Sequence, residues 1–281
     1  MMAEARLVTL YSGSGGNCTY VQGGGTSILV DAGKSARTLC KHLCDMGVEV
    51  AALSAIFITH EHTDHISALE TLTQKHPLPI YLPLGCMERL ERQGVPHLTA
   101  CLEPFSLPFS VQVGGMTVTA FPTPHDSMAS VGYRIGFSDE TGDRAIGVAT
   151  DIGMVTDPIR AGLSGCEAVV LESNHDVQML MKGPYPYDLK KRVSSRRGHL
   201  SNRECAEFAC ELAASGTYGF LLAHISKENN RPELAVDEVS HALSDPGVTV
   251  LAAHPTMPTE LCLTRPVSEC FDFEREAVTE R

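Results

Sequence analysis

The chain has 281 residues, of which 43% are hydrophobic, and a formal net charge of −12. A chain of this length can bury a large core, and no linker, repeat or low-complexity tract divides it. We therefore expect one domain over residues 1–255 and a C-terminal tail over residues 256–281. The excess of acidic over basic residues argues against a broad basic surface for binding nucleic acid.

The start of the chain, MMAEARLVTLY, has neither a basic segment nor a long apolar run. No later run approaches the roughly 18 apolar residues that a membrane span needs. We therefore expect a cytoplasmic protein with no membrane partner. In such a chain the ten cysteines are more typical of small buried hydrophobes than of disulfides.

The predicted elements alternate along the chain. Residues 7–10, 18–21 and 27–30 are short apolar stretches between glycine-rich turns, which predicts strands. Ser35 is the predicted N-cap of a helix that ends near Gly47. Later, the capping box Ser201-Asn202-Arg203-Glu204 predicts a helix through Ala214, followed by a strand, a helix and a final strand. Mixed sheets flanked by helices indicate a layered α/β architecture.

The segment Thr59 to His65 reads THEHTDH and directly follows the apolar run at residues 55–58. His60 and His62 are two residues apart, so in extended backbone both can reach one cation. Thr63 is a plausible N-cap, and the helical turn after it brings Asp64 and His65 toward a second position. Imidazoles and carboxylates are ligands for zinc, manganese or iron, so this spacing predicts a metal site.

Further acidic and histidine residues follow predicted strands, where α/β proteins gather their active sites. His125, Asp151 and His224 occupy such positions. Together with the THEHTDH segment they supply enough ligands for two divalent cations and a bridging carboxylate. Asp31 also ends a strand, and we expect it to orient a ligand imidazole.

In order and spacing these residues resemble the five motifs of the metallo-β-lactamase-fold hydrolases. The resemblance implies a four-layer αββα sandwich with two metals at one edge. It also implies that His60, His62 and His125 hold one metal, that Asp64, His65 and His224 hold the other, and that Asp151 bridges them.

Other stretches of the sequence resemble one particular family within these hydrolases. Ser12 to Cys18, Glu172 to Asp176, Gly198 to Asn202 and Leu222 to Asn230 are similar to the YycJ (WalJ) family of bacterial proteins. That family is similar to the ribonuclease Z branch and is associated with exonuclease action on double-stranded DNA from the 5′ end. We therefore expect a metal-dependent phosphodiesterase whose nucleophile is a metal-bridging hydroxide.

The ribonuclease Z resemblance also implies two catalytic residues that do not bind metal. His199 is the candidate that stabilises the leaving oxygen, and Glu172 is the candidate that orients its imidazole. We include Asp64 with them as a catalytic residue because of its place in the motif.

Candidate substrate contacts come from a basic island and a glycine-rich turn. The segment from Lys182 to Arg203, called the basic island here, contains seven basic residues and only one acidic residue, Asp188. A basic island on an acidic protein is typical either of a phosphate-binding surface or of a solvated loop. The predicted contacts are Lys182, Lys190, Lys191, Arg196 and Arg197, with Tyr185 and Tyr187 as possible stacking residues and Asn17 as a phosphate ligand near the metals.

Two other functions use the same ligands. A hydrolase of a lactone, thioester or β-lactam would use the metals on an acyl carbon, but it does not require Glu172, His199 and the basic island. A regulatory protein could keep metals for folding alone. The presence of ligand-type residues at all seven positions argues against that alternative.

Overall fold

The computed structural model describes residues 5–92, 94–243 and 245–263. Its strands are β1 (Arg6–Tyr11), β2 (Cys18–Gly23), β3 (Thr26–Val30), β4 (Ala55–Phe57), β5 (Ile80–Pro83), β6 (Leu102–Phe105), β7 (Phe109–Val113), β8 (Met116–Pro122), β9 (Val131–Asp139), β10 (Gly142–Ala149), β11 (Ala168–Glu172), β12 (Gly219–Ala223), β13 (Thr249–Ala252) and β14 (Thr259–Leu261). Its helices are α1 (Ala36–Asp45), α2 (Thr63–Ile66), α3 (Leu69–Lys75), α4 (Leu84–Glu91), α5 (Pro96–Thr99), α6 (Asp157–Leu163), α7 (Val177–Lys182), α8 (Tyr187–Val193), α9 (Asn202–Ala214) and α10 (Pro232–Ala242).

Within the described residues the strands form two seven-stranded sheets. The first has the order β14-β1-β2-β3-β4-β5-β6, and the second has the order β13-β12-β11-β10-β9-β8-β7. In each sheet one half pairs antiparallel and the other half pairs parallel. Both sheets are therefore mixed, as the sequence predicted.

Three apolar clusters separate the layers. Alternate residues of a strand face opposite sides, so Ile28 joins the cluster between the sheets while its neighbour Leu29 packs under the helices that cover the first sheet. A third cluster packs Phe208 of α9 and Val239 of α10 onto the outer face of the second sheet. The predicted four-layer αββα sandwich is confirmed.

The segment predicted as a tail contributes to the first sheet. Residues Thr259–Leu261 form β14, which pairs antiparallel with β1 and places Leu261 opposite Leu7. Leu261 is buried because it packs into the cluster between the sheets. The sheet thus extends beyond residue 255, and residues 264–281 lie outside the described part of the chain.

Two local features differ from the sequence prediction. Helix α2 starts at Thr63 with His62 as its N-cap, one residue earlier than expected, and its cap makes no side-chain hydrogen bond. The basic island is partly helical, since α8 lies within it and the ends of α7 and α9 reach into it. No helix within the described ranges has the length and apolar character needed to cross a bilayer.

The strand ends that carry the candidate site meet at one edge of the sandwich. Asp31 follows β3, Asp151 follows β10 and His224 follows β12, and all three have left-handed backbone conformations, with φ of 63°, 55° and 55°. Such conformations are uncommon outside glycine and persist only where the surrounding structure enforces them. They turn the chain sharply at the end of each strand and direct these side chains toward the same place.

Candidate metal centre

Backbone contacts from the first two loops hold the THEHTDH segment in place. The N–H of Asn17 donates to the carbonyl of Asp64 at 2.8 Å, and the N–H of Ala32 donates to the carbonyl of His65 at 2.7 Å. A Cβ on Gly33 would lie 1.9 Å from the Asp64 carbonyl oxygen, so only glycine permits this close approach. The turn that carries four candidate ligands is therefore fixed by the chain before it.

Three histidines form the first group. The rings of His60, His62 and His125 lie with their centroids 4.5 to 5.1 Å apart, and one nitrogen from each falls within 4.8 Å of the others. His60 and His125 are buried and His62 is half-buried. Three converging imidazoles are a typical set for one divalent cation.

Asp64, His65, Asp151 and His224 form the second group. The Nε2 of His65 is 3.3 Å from Asp151 Oδ2 and 3.6 Å from Asp64 Oδ2, and the Nε2 of His224 is 4.0 Å from Asp64 Oδ2. Donors about 2.1 Å from a tetrahedral metal lie roughly 3.4 Å apart, so separations of this size suit one cation. Asp151 Oδ1 also lies 3.7 Å from His125 Nε2, which places this carboxylate between the two groups.

Most of the imidazoles have one nitrogen occupied by the protein. The Nδ1 atoms contact Thr59 Oγ1 for His60 (3.0 Å), Asp31 Oδ2 for His65 (2.7 Å), the Gly198 carbonyl for His125 (3.3 Å) and Glu172 Oε1 for His224 (2.7 Å). Partners of this kind fix the orientation of metal-binding histidines. In each of these rings Nε2 is left to face the cluster.

Two buried atoms at the centre have no hydrogen-bond partner among the described residues. They are Nε2 of His60, which is completely buried, and Oδ2 of Asp151, which is 2% exposed. Buried polar atoms without a partner are costly and therefore rare. A divalent cation would satisfy both atoms, so the residues present fit the metals that the sequence predicted.

The protonation states of the cluster also suit a metal. Burial lowers the pKa of His60 and His125, which favours the neutral imidazole that binds cations. Burial alone would raise the pKa of Asp151, but the histidines around it hold the pKa well below its usual range. His65 has its pKa raised by Asp31 and Asp151 against the effect of burial, so a cation bound at Nε2 would displace a proton.

Glu172 and His199 form the pair that the sequence predicted. The completely buried Glu172 contacts Nδ1 of His199 at 2.8 Å, and it also accepts hydrogen bonds from the backbone N–H groups of Ile152 and Leu200. His224 contacts the same carboxylate oxygen as His199, and the two N–H groups donate to the other oxygen. Since both carboxylate oxygens are occupied, Glu172 is unsuited to bind a metal. Burial would lower the pKa of His199, but Glu172 and Asp151 raise it to about 9.

The predicted substrate contacts divide into two sets. The first set makes contacts within the protein. Asn17 is buried. Arg197 donates to the carbonyl of His125 at 2.9 and 2.7 Å, and Lys190 donates to the carbonyl of Met181 at 2.7 Å. The Asn17 amide oxygen accepts from Gly13 N–H, and its amide nitrogen lies 3.1 Å from His65 Nε2. These three side chains therefore hold the site together. Exposed side chains without a hydrogen bond or ion pair among the described residues are those of Lys182, Lys191 and Arg196.

Two cavities flank the cluster, and they contain functional candidates that the sequence did not reveal. A cavity of about 580 Å³ borders His62 and Asp64 and is also lined by Arg89, Arg92 and Arg192. A cavity of about 200 Å³ borders His199 and His224. Arg192 lines both, and its guanidinium donates to Asp126 at 2.7 Å. No sequence signal identified Arg89, which lies on α4, or Arg92, which follows that helix, because neither belongs to any of the motifs.

The comparison with protein families matches residues 26–225 to the description "Beta-lactamase superfamily domain". The chain is 33% identical over 263 residues to the exodeoxyribonuclease YycJ of Bacillus anthracis, covering 90% of this chain and 96% of that protein. This chain belongs to the YycJ/WalJ family of metallo-β-lactamase-fold hydrolases.

A second relative agrees with membership in this family, and a solved structure shares the fold. The exodeoxyribonuclease WalJ of Streptococcus pneumoniae D39 is 32% identical over 228 residues, covering 80% of this chain and 83% of that protein. The zinc-bound PqqB of Methylobacterium extorquens shares the fold, with a TM-score of 0.69 and 19% identity over 91% of this chain and all of that one. As a metallo-β-lactamase-fold hydrolase, the chain has a His/Asp cluster suited to divalent metals.

Proposed function

We propose that this hydrolase is a dinuclear metal-dependent phosphodiesterase that degrades double-stranded DNA from its 5′ end. The relatives that match most of its length are named as exodeoxyribonucleases, which supports a nucleic acid substrate. The proposed ligands are His60, His62 and His125 for one cation and Asp64, His65 and His224 for the other, with Asp151 between them. Zinc, manganese and iron all accept this set.

The observation that carries the proposal is the Glu172–His199 pair beside the cluster. The O3′ of a nucleotide is a poor leaving group, so its release requires a proton. His199 is one-fifth exposed and lies 3.7 Å from Asp151, within reach of a bound substrate. Because Glu172 raises the pKa of His199 to about 9, this imidazole carries a proton at neutral pH. An acyl hydrolase has no need of such a pair.

The remaining chemistry divides between the cations and the protein. When bound, the cations activate water and neutralise charge on the phosphoryl oxygens. Asp31 holds the His65 ring, and Glu172 holds both His199 and His224, so the groups around the scissile phosphate are fixed before substrate arrives. Arg89 of the larger cavity has no ion pair among the described residues and supplies positive charge for a neighbouring phosphate.

The test is a nuclease assay with metal-loaded protein. Linear duplex DNA carrying a label at either the 5′ or the 3′ end is incubated with manganese, and covalently closed circular duplex serves as the control. We expect labelled mononucleotide to appear at once from the 5′-labelled strand and late from the 3′-labelled strand, while the circle stays intact. Cleavage of the circle, or earlier release from the 3′ end, would contradict the proposed polarity.

A further inference from the structure

The smaller of the two cavities has a composition that the proposed reaction does not yet explain. It measures about 200 Å³ and opens beside His199 and His224. Its walls include Tyr185, the aliphatic side chains of Leu189 and Val193, and several amides and hydroxyls. Such a wall is suited to a flat, neutral group with polar edges.

The smaller cavity has few ionisable groups on its walls. Apart from two histidines, its ionisable lining residues are Asp126, Arg192 and Tyr185, and the first two pair with each other at 2.7 Å. The smaller cavity therefore has little net charge to attract a phosphate, which leaves it suited to a neutral group.

Asn229 gives the smaller cavity an unused donor and acceptor. It lines the cavity and is 1% exposed, and neither its amide nitrogen nor its amide oxygen has a hydrogen-bond partner among the described residues. Its backbone is fixed, because the N–H donates to Ser226 Oγ and the carbonyl accepts from Asp176 N–H. An amide presents a donor beside an acceptor, which matches the edge of a nucleobase, whereas an ionised phosphate only accepts.

We propose that this cavity binds the base of the 5′-terminal nucleotide, with Tyr185 as a stacking surface and Asn229 on the edge of the base. This assignment rests on the proposed function, since His199 is taken to protonate the leaving oxygen. At a 5′ end that oxygen is the O3′ of the terminal nucleotide, so the departing nucleoside lies on the His199 side of the cluster. The cavity beside His199 is on that side.

A pocket for one base has consequences for the reaction. It accepts one nucleotide beyond the scissile phosphate, so the enzyme needs a chain end and releases mononucleotides. The terminal base must leave its pair to enter, which costs less at a mismatched or frayed end. The rest of the strand then follows the larger cavity, where Arg89 is exposed and has no ion pair among the described residues.

Binding measurements test the base cavity separately from catalysis. Metal-loaded protein is titrated by calorimetry with deoxyadenosine 3′-monophosphate and with 1,2-dideoxyribose 3-phosphate, which has the same phosphate and sugar but no base. We expect the nucleotide to bind at least about tenfold more tightly, because stacking and edge contacts with the base are gained. Equal affinities for the two ligands would overturn the assignment.

Two variants test whether this cavity causes the preference for the nucleotide over the ligand without a base. Leu189→Trp fills the cavity and Asn229→Leu removes the amide, so each should reduce the preference for the nucleotide to within about twofold. Asp188→Trp is the matched control, because it places the same indole side chain at an exposed neighbour on α8 that does not line the cavity. Circular dichroism establishes that each variant is folded. A preference that survives in both Leu189→Trp and Asn229→Leu would place the base elsewhere.

A parallel assay with bis(4-nitrophenyl) phosphate and duplex DNA distinguishes the two possible failures. If the protein cleaves these diesters but shows no preference for the base, the cavity assignment is wrong and the proposed function stands. If the preference is present but neither substrate is cleaved, the phosphodiesterase proposal is wrong and the cavity remains a nucleotide site.

Discussion

At the scale of single residues, the centre depends on which nitrogen each imidazole presents. Asp31, Thr59, Glu172 and the Gly198 carbonyl each contact an Nδ1 atom, so the Nε2 atoms converge. For His65, His125 and His224 the contact that sets the ring orientation comes from a residue distant in sequence. The same arrangement supports the role proposed for His199, because Glu172 contacts its Nδ1 and leaves Nε2 for a substrate.

Replacing His199 by alanine should remove most of the nuclease activity and leave metal binding intact. A positioned general acid contributes typically about 10²–10⁴-fold to a rate, and His199 is not among the seven proposed ligands. We expect a fall in kcat of that order for duplex DNA, measured with protein whose metal content is determined by elemental analysis. Wild-type activity in the variant would reject the assigned role of His199, and loss of metal would show that His199 contributes to metal binding.

Replacing Glu172 by glutamine should change the pH dependence of the reaction. Glu172 raises the pKa of His199, so the protonated form is present at low pH and is lost as pH rises through that pKa. Removal of the carboxylate charge lowers the pKa, and the alkaline fall in kcat should therefore move to lower pH. Glutamine keeps the size of the buried side chain, and the metal content of the variant is the control. An unchanged profile would mean that Glu172 does not act through His199.

At the scale of elements, part of the basic island around α8 is hydrogen-bonded to the loops of the site. Arg197 donates to the carbonyls of His125 and Ser127, and Arg192 pairs with Asp126. These contacts connect the segment after α8 to the loop that carries His125. The neighbouring Arg196 is exposed and has no hydrogen bond or ion pair among the described residues.

Adjacent arginines therefore provide a matched pair of variants. Arg197→Ala should lower stability by about 1 kcal/mol, since a charged donor to partly buried carbonyls is lost, and should weaken metal binding through His125. Arg196→Ala should leave the melting temperature unchanged and reduce the salt dependence of DNA binding. Thermal unfolding and binding at several salt concentrations measure both effects. The reverse pattern would restore Arg197 as a substrate contact.

The same elements show how far the sequence could predict the site. Asp31, Asp151 and His224 could be recognised because each directly follows an apolar strand, and parallel strand ends meet at one edge. The hydrogen bonds of Arg197 could not be predicted, since a basic residue close to His199 in the sequence has the same signature whether it binds a phosphate or a carbonyl oxygen 72 residues away. The short β14 was assigned to the tail for a similar reason, because its pairing with β1 joins the two ends of the domain.

At the scale of the whole molecule, two mixed sheets bring strand ends from both halves of the chain to one edge. The first sheet contributes the THEHTDH turn, and the second contributes Asp151 and His224. Neither sheet alone carries a complete ligand set. Cation binding should therefore couple the halves of the sandwich, because each proposed cation draws ligands from both sheets.

The most direct measurement of the central claim is the rate of duplex DNA cleavage as metal is added back to chelated protein. Seven ligands around two cations predict a rate that rises until two equivalents of manganese or zinc are bound per chain and then stays constant. Saturation at one equivalent, or cleavage at the full rate by the metal-free protein, would contradict the dinuclear mechanism.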